Sequence, residues 1–190
     1  MPLTIEEFND IVAENPVIPS IKSPEGLEHL KDSDCKLVFV LYGDICSIPD
    51  IVGQIKAMGK KVLVHIDLID GLSAKEICVD YLRNFMDADG ILSTKSHLIH
   101  RAKELGMFAV QRFFMYDSLS YYNILKRADA ASPDVIELMP AGMYKIISML
   151  VNEIRTPVIA SGLIYEKEDI IKALSAGAQA VSTTYNPLWD

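Results

Sequence analysis

The sequence has no CxxC pair, no GxGxxG fingerprint and no apolar run near the roughly 20 residues a membrane-spanning helix needs. Each absence removes a class. The three cysteines, Cys35, Cys46 and Cys78, are too few and too scattered for a disulfide framework and suit a reducing compartment. Without a glycine fingerprint after the first strand, a dinucleotide-binding fold is disfavoured. Positive charge is in deficit: 18 Lys and Arg stand against 26 Asp and Glu, a formal net charge of −8, which argues against a broad nucleic-acid-binding face while allowing a local basic patch. The start, Met1-Pro2-Leu3-Thr4-Ile5-Glu6-Glu7, lacks the basic segment and apolar core of a signal peptide, so a cytoplasmic protein is expected, with no membrane partner. Histidine is scarce, and His97-x-x-His100 has no evident third ligand, so it reads as an exposed helix face and no metal or cofactor is expected.

What the chain does have is rhythm. Hydrophobic residues make up 50% of its 190 residues, enough for one globular domain over 1–190. Thr4-x-x-Glu7 and Ser73-x-x-Glu76 read as capping boxes, the second opening a helix to about Met86. Short apolar runs alternate with helical segments: Val17–Ile21, Leu37–Leu41, Val62–Asp67, Gly90–Ser93, Phe108–Phe113, Val135–Leu138, Pro157–Ala160 and Ala180–Thr183. Continuous apolar runs are what strands buried on both faces of a parallel sheet require. Eight of them predict an α/β protein folded as a (β/α)8 TIM-type barrel. Only Pro187-Leu188-Trp189-Asp190 follows the last run, so the final helix is truncated or missing.

Two stretches near the C-terminus point to a ligand. Val158-Ile159-Ala160-Ser161-Gly162 and Ala180-Val181-Ser182-Thr183-Thr184 are apolar strands that break into small or hydroxyl residues. The loops after strands 7 and 8 of such barrels commonly hold a phosphate on backbone N–H groups, and small residues let that backbone approach. Ser161, Gly162, Thr183 and Thr184 are therefore the candidate phosphate residues; taken singly, Gly162 and Ser182 could equally be ordinary turn residues. Polar residues at other strand ends extend the site. His65 and Asp67 share one face of strand 3, Lys95 follows strand 4, Arg112 lies on strand 5 and Glu137 on strand 6. Arg112 and Lys95 could meet a phosphate or carboxylate, and Asp67 and Glu137 could accept ligand hydroxyls. A structural ion pair of Glu137 with Arg112 is the competing reading. Lys60-Lys61 reads as solvated charge at the far end of the barrel, and Tyr121, Tyr122, Met139, Met143 and Met149 as packing residues. Asp117-Ser118 reads as a helix cap rather than a catalytic pair.

These residues fall in runs that resemble the glycerol-3-phosphate-responsive antiterminators. The runs are His65-Ile66-Asp67-Leu68-Ile69-x-Gly71-Leu72, Asp89-Gly90-Ile91-Leu92-Ser93-Thr94-Lys95-Ser96 with Ala102-Lys103, and Gln111-Arg112-Phe113-Phe114 with Asp117-Ser118. They continue with Pro133-Asp134-x-Ile136-Glu137-x-Met139-Pro140, Pro157 to Ile164, and Ala176 to Thr184 with Trp189, so that the likeness spans roughly residues 17 to 189. Two departures stand out. Met139-Pro140-Ala141-Gly142-Met143 replaces a tighter Leu-Pro-Gly pattern, and Ser161 stands where a second glycine is expected. The resemblance implies a cytosolic regulator that binds glycerol 3-phosphate and acts on leader mRNA, so that transcription of glycerol uptake genes passes a terminator.

Two classes of function follow. One is this ligand-gated RNA-binding regulator, without a catalytic residue and compatible with a homo-oligomer. The other is an isomerase, aldolase or glycerol-phosphate transferase, with Lys95 as a Schiff-base lysine and Asp67 and Glu137 as acid and base. No RNP or KH signature marks an RNA face. The cations available to one are Lys22, Lys56, Lys60, Lys61, Arg101 and Lys103, and the loops Ile69–Ser73 and Met139–Tyr144 are the candidates to couple ligand to RNA.

Overall fold

Eight parallel strands pair in sequence order and the eighth pairs back to the first, closing a barrel, in a computed structural model that describes residues 3–189. The elements run α1 (Ile5–Glu14), β1 (Val17–Ile21), α2 (Pro24–His29), β2 (Leu37–Val40), α3 (Ile48–Ala57), β3 (Lys61–His65), α4 (Ile77–Phe85), β4 (Gly90–Ser93) and α5 (Ser96–Glu104). They continue as β5 (Phe108–Phe114), α6 (Ser118–Ala131), β6 (Val135–Met139), α7 (Tyr144–Glu153), β7 (Val158–Ser161), α8 (Lys167–Ser175) and β8 (Ala180–Thr183). The predicted TIM-type barrel is the fold. The helix after β8 is reduced to a single 3-10 turn, Asn186–Leu188, and the buried Trp189 ring closes that corner by donating from Nε1 to the Thr183 carbonyl at 3.0 Å.

The barrel is filled from below. Every second residue of a strand points inward. Ile18, Leu37, Phe39, Leu63, Leu92, Phe108, Val110, Val135, Ile159 and Ala180 form one interior cluster. α1 closes its N-terminal end: Thr4 Oγ1 accepts from the Glu7 N–H at 3.1 Å to start the helix, and Phe8 and Val12 enter the interior cluster. The Phe8 ring lies 5.4 Å from that of Phe108. Truncating a buried phenylalanine of this kind to alanine costs about 3–5 kcal/mol. Gly90 is required where β4 meets β5, because a Cβ there would stand 2.1 Å from the Phe108 carbonyl oxygen.

Three local expectations need correction. The Ser73-x-x-Glu76 box does not form: α4 begins at Ile77, and the Ser73 hydroxyl lies 3.5 Å from Cys78 Sγ instead. Strand 3 ends at His65 rather than Asp67, because Ile66–Leu68 turns into a 3-10 segment. Lys60 and Lys61 are not solvated charge. Lys60 is buried and donates to the carbonyls of Ser33 at 2.6 Å and Cys35 at 2.8 Å, tying the segment before β2 to the start of β3. Lys61 pairs with Glu7 at 3.1 Å and Asp89 at 3.5 Å.

Candidate functional site

Above the apolar floor, the next inward-facing positions change character. They carry Ser20 on β1, His65 on β3, Arg112 on β5, Glu137 on β6, Ser161 on β7 and Ser182 on β8, all buried. Buried polar atoms must find partners, and here a chain of bonds forms around the barrel. Arg112 Nε donates to Glu137 Oε2 at 2.5 Å; Ser182 Oγ donates to Glu137 Oε1 at 2.7 Å; Ser161 Oγ lies 2.7 Å from Ser182 Oγ. The ion pair weighed as a competing reading is therefore present. Burial works against the Glu137 carboxylate, but Arg112, Ser182 and His65 outweigh it and hold Glu137 below the ordinary carboxylate range. His65 moves the other way. Burial and then the Arg112 charge push its pKa down to about 4, against the opposing pull of Glu137 and Asp67, so the ring is neutral at pH 7.

A cavity of 130 Å³ opens over this layer at the C-terminal mouth, smaller than the roughly 300–1,000 Å³ of pockets for drug-sized ligands. Its wall includes Ser20, Arg112, Ser161, Gly162, Thr183 and Thr184. Arg112 lines the cavity and is only partly committed: among the described residues its single hydrogen bond is from Nε, which leaves both terminal nitrogens without a protein partner. The loop after β7 is shaped for close approach. Gly162 and Leu163 are both left-handed, at φ 78° and 59°, and a Cβ on Gly162 would lie 2.8 Å from Met139 Cε. Successive backbone groups in left-handed and turn conformations form concave anion-binding nests. The loop after β6, with Met139–Pro140 cis, docks on this one through Ala141 N–H to the Gly162 carbonyl at 3.2 Å. The Thr183 hydroxyl donates to the Ile164 carbonyl at 3.1 Å and accepts from Tyr185 N–H at 3.0 Å, lacing the β7 and β8 loops together. The first turn of α8 is capped by its own Glu166 and Asp169, so any anion here rests on Arg112 and the loops.

Asp67 and Lys95 form a second cluster on the β3–β4 side and do not line that cavity. Asp67 accepts from Ser93 Oγ at 3.0 Å, Thr94 N–H at 2.7 Å, Thr94 Oγ1 at 2.9 Å and Lys95 Nζ at 2.9 Å. Burial works against its charge, yet the Thr94, Lys95 and Ser93 bonds prevail and keep Asp67 below its ordinary value. Those donors use about all the lone-pair directions of a carboxylate. An ammonium held by a carboxylate is also a poor nucleophile, which weakens the Schiff-base reading of Lys95. Ser20 is a cavity residue that the sequence did not mark, since its inward parity with Ile18 shows only once β1 is placed in the barrel.

The pool of cations for an RNA face is largely spent. Lys56 pairs with Asp89 at 2.8 Å, Arg101 with Asp80 at 2.5 Å and Lys103 with Asp134 at 2.5 Å, besides Lys60 and Lys61 described above. Lys22 has no ion pair among the described residues, and Lys126, Arg127 and Lys145, exposed on α6 and α7, are in the same position. Among the described residues no group of three His, Cys, Asp or Glu could hold a metal ion, and no helix is long and apolar enough to cross a membrane. Of the remaining candidates, Asp117 caps α6, accepting from Ser120 N–H at 2.8 Å, and His97 contacts the Ala74 carbonyl from an exposed position. Tyr121 is buried, whereas Tyr122 and Met149 are exposed rather than packed.

Comparison with known proteins is specific. The family model described as glycerol-3-phosphate responsive antiterminator matches residues 17–189. A protein of Escherichia coli (strain K12), YgcP, described as uncharacterized, is 40% identical over 179 residues, covering 94% of each chain. The crystal structure of the glycerol uptake operon antiterminator regulatory protein from Listeria monocytogenes superposes with a TM-score of 0.89 at 32% identity, over 92% of this chain and 95% of that one. A glycerol uptake operon antiterminator-related protein from Thermotoga maritima gives a TM-score of 0.81 at 28% identity, over 91% and 96% of the two chains.

Proposed function

The chain belongs to the glycerol-3-phosphate responsive antiterminator family, and from that premise we propose that it binds glycerol 3-phosphate at the C-terminal mouth of the barrel and, so loaded, acts on leader mRNA. The phosphate lies against Arg112 and the backbone around Ser161, Gly162, Thr183 and Thr184. One observation carries this reading: a buried arginine, bonded to protein through Nε alone among the described residues, lines a small cavity beside the paired β7 and β8 loops where barrels bind phosphate. Glu137 fixes the guanidinium from below through Arg112 Nε, which presents the free edge as a fork suited to two phosphate oxygens. Asp67 and Lys95 border the same mouth and brace each other.

The route from ligand to RNA runs through neighbouring loops. A phosphate against Gly162 presses on Met139 and on the Ala141 bond, so it biases the 139–144 loop. The 69–73 loop is tied elsewhere, through Ile45 N–H to Asp70 O at 2.8 Å and Asp70 N–H to Gly43 O at 3.0 Å. The domain acts as a cytoplasmic regulator without turnover of its ligand. Calorimetric titration with glycerol 3-phosphate tests the site. The native chain binds; Arg112→Met and Gly162→Asp weaken binding by on the order of a few kcal/mol, one by removing the fork and the other by placing a like charge and a clash at the anion. Unchanged affinity in either folded variant contradicts the placement.

A further inference from the structure

Among the described residues, four buried side-chain atoms have no hydrogen-bond partner: Ser20 Oγ, His65 Nδ1, Gln111 Oε1 and Gln179 Oε1. Neither glutamine lines the cavity at the mouth. Gln111 reaches outward to Ser96 in the first turn of α5, and Gln179 reaches α1 at the closed end, through Asn9. Ser20 and His65 are different. Each stands two residues beyond a member of the apolar floor, Ile18 and Leu63, and shares its inward parity. They are 3% and 2% exposed. Ser20 lines the cavity together with Arg112; His65 stands outside that lining, in the same inward layer, where its ring feels the charges of Arg112, Glu137 and Asp67.

A buried polar atom without a partner is rare in a folded protein, because leaving it unpaired forfeits the hydrogen bond it had with water. The carboxylates expected to read a polyol are already supplied with protein donors: Asp67 by Ser93, Thr94 and Lys95, and Glu137 by Arg112 and Ser182. We propose that Ser20 and His65 are the groups that read the two hydroxyls of the ligand, so that the site takes a three-carbon polyol phosphate with a neutral diol end and rejects a carboxylate there. This rests on the phosphate placement at Arg112 and the β7–β8 loops.

The chemistry fits a hydroxyl at both points. A serine hydroxyl donates and accepts, as does a ligand hydroxyl, and His65 Nδ1 takes whichever role its tautomer leaves. A neutral imidazole has no charge with which to hold a carboxylate. The anionic Glu137 and Asp67 nearby repel one, and Arg112 is the cation the phosphate uses. A ligand lacking hydroxyls leaves Ser20 and His65 as unpaired as before, so it gains nothing from them.

The test is calorimetry on the full chain with glycerol 3-phosphate, propyl phosphate and 3-phosphoglycerate, using the native protein, Ser20→Ala, His65→Asn and His65→Leu. The native protein should prefer glycerol 3-phosphate over both other ligands by about tenfold to a hundredfold. Ser20→Ala and His65→Leu should lose most of that preference while binding propyl phosphate as before. His65→Asn, which keeps a polar atom near the Nδ1 position, should retain it. Equal affinities of the native chain for glycerol 3-phosphate and propyl phosphate overturn the proposal and leave the phosphate site standing, as does an unchanged preference in Ser20→Ala. Should His65→Leu fail to fold, Ser20→Ala decides alone. If the native chain binds none of the three ligands, the phosphate site and this proposal fall together.

Discussion

Arg112 and Glu137 face each other across adjacent strands, in register on β5 and β6, and join Nε to Oε2 at 2.5 Å inside the barrel. The pair does two things at once. It neutralises two buried charges, and by engaging only Nε it leaves the other guanidinium nitrogens of a cavity-lining residue free of protein partners.

Breaking that pair by removing one partner should be expensive. Glu137→Ala leaves Arg112 buried and uncompensated, and also removes the carboxylate acceptor of the Ser182 hydroxyl, which keeps only Ser161. Chemical denaturation should show a loss of about 3–5 kcal/mol. A loss below about 1 kcal/mol would mean that the pair is solvated and does not anchor the fork.

Acid should destabilise the protein earlier than its carboxylates alone would allow. His65 titrates near the ordinary imidazole value of 6.5 when unfolded and at about 4 when folded. Between those values the unfolded chain binds a proton that the folded chain refuses, so stability falls as pH falls through this window, by about 3 kcal/mol in all. Asp67 and Glu137, whose values are lowered in the fold, add losses in the same direction at the acid end. His65→Asn should flatten the stability profile between pH 6.5 and 5. Parallel profiles for the native and substituted proteins would show that His65 is not buried as described.

Lys60 should matter for folding and not for RNA. Its ammonium holds the Ser33 and Cys35 carbonyls from a buried position. Lys60→Met should reduce stability by about 1–3 kcal/mol and leave any RNA affinity at 20 °C unchanged. A selective loss of RNA binding in a stable variant would return Lys60 to the RNA face.

Much of this was legible in the sequence, and the failures have physical causes. Strands buried on both faces must be apolar throughout, so eight runs were countable and Arg112 and Glu137 stood out within theirs. What pairs with what was not countable, because register depends on the whole barrel. The Arg112–Glu137 contact was therefore an alternative and not a conclusion. Lys60-Lys61 looked like surface charge because its partners, Ser33, Cys35, Glu7 and Asp89, are remote in sequence. Ser73 misled for the opposite reason: a local motif was present, but its hydroxyl turned toward Cys78 and the helix began later. Ser20 was hidden because a single small polar residue in an apolar strand carries no signal until the inward parity of β1 is known.

The proposed control of RNA binding by a ligand at the barrel mouth is open to a single titration. Affinity for the leader RNA of the regulated genes should be measured at fixed, stated salt, with and without saturating glycerol 3-phosphate. Glycerol 3-phosphate should tighten RNA binding by about 1–3 kcal/mol, and RNA should tighten ligand binding by the same amount, because coupling free energies are reciprocal. Steep salt dependence should accompany it, marking a concentrated patch on a chain whose net charge is −8. RNA affinity that does not respond to the ligand, together with turnover of a triose phosphate at an ordinary enzymatic rate, would contradict the account and make Lys95 the first residue to test.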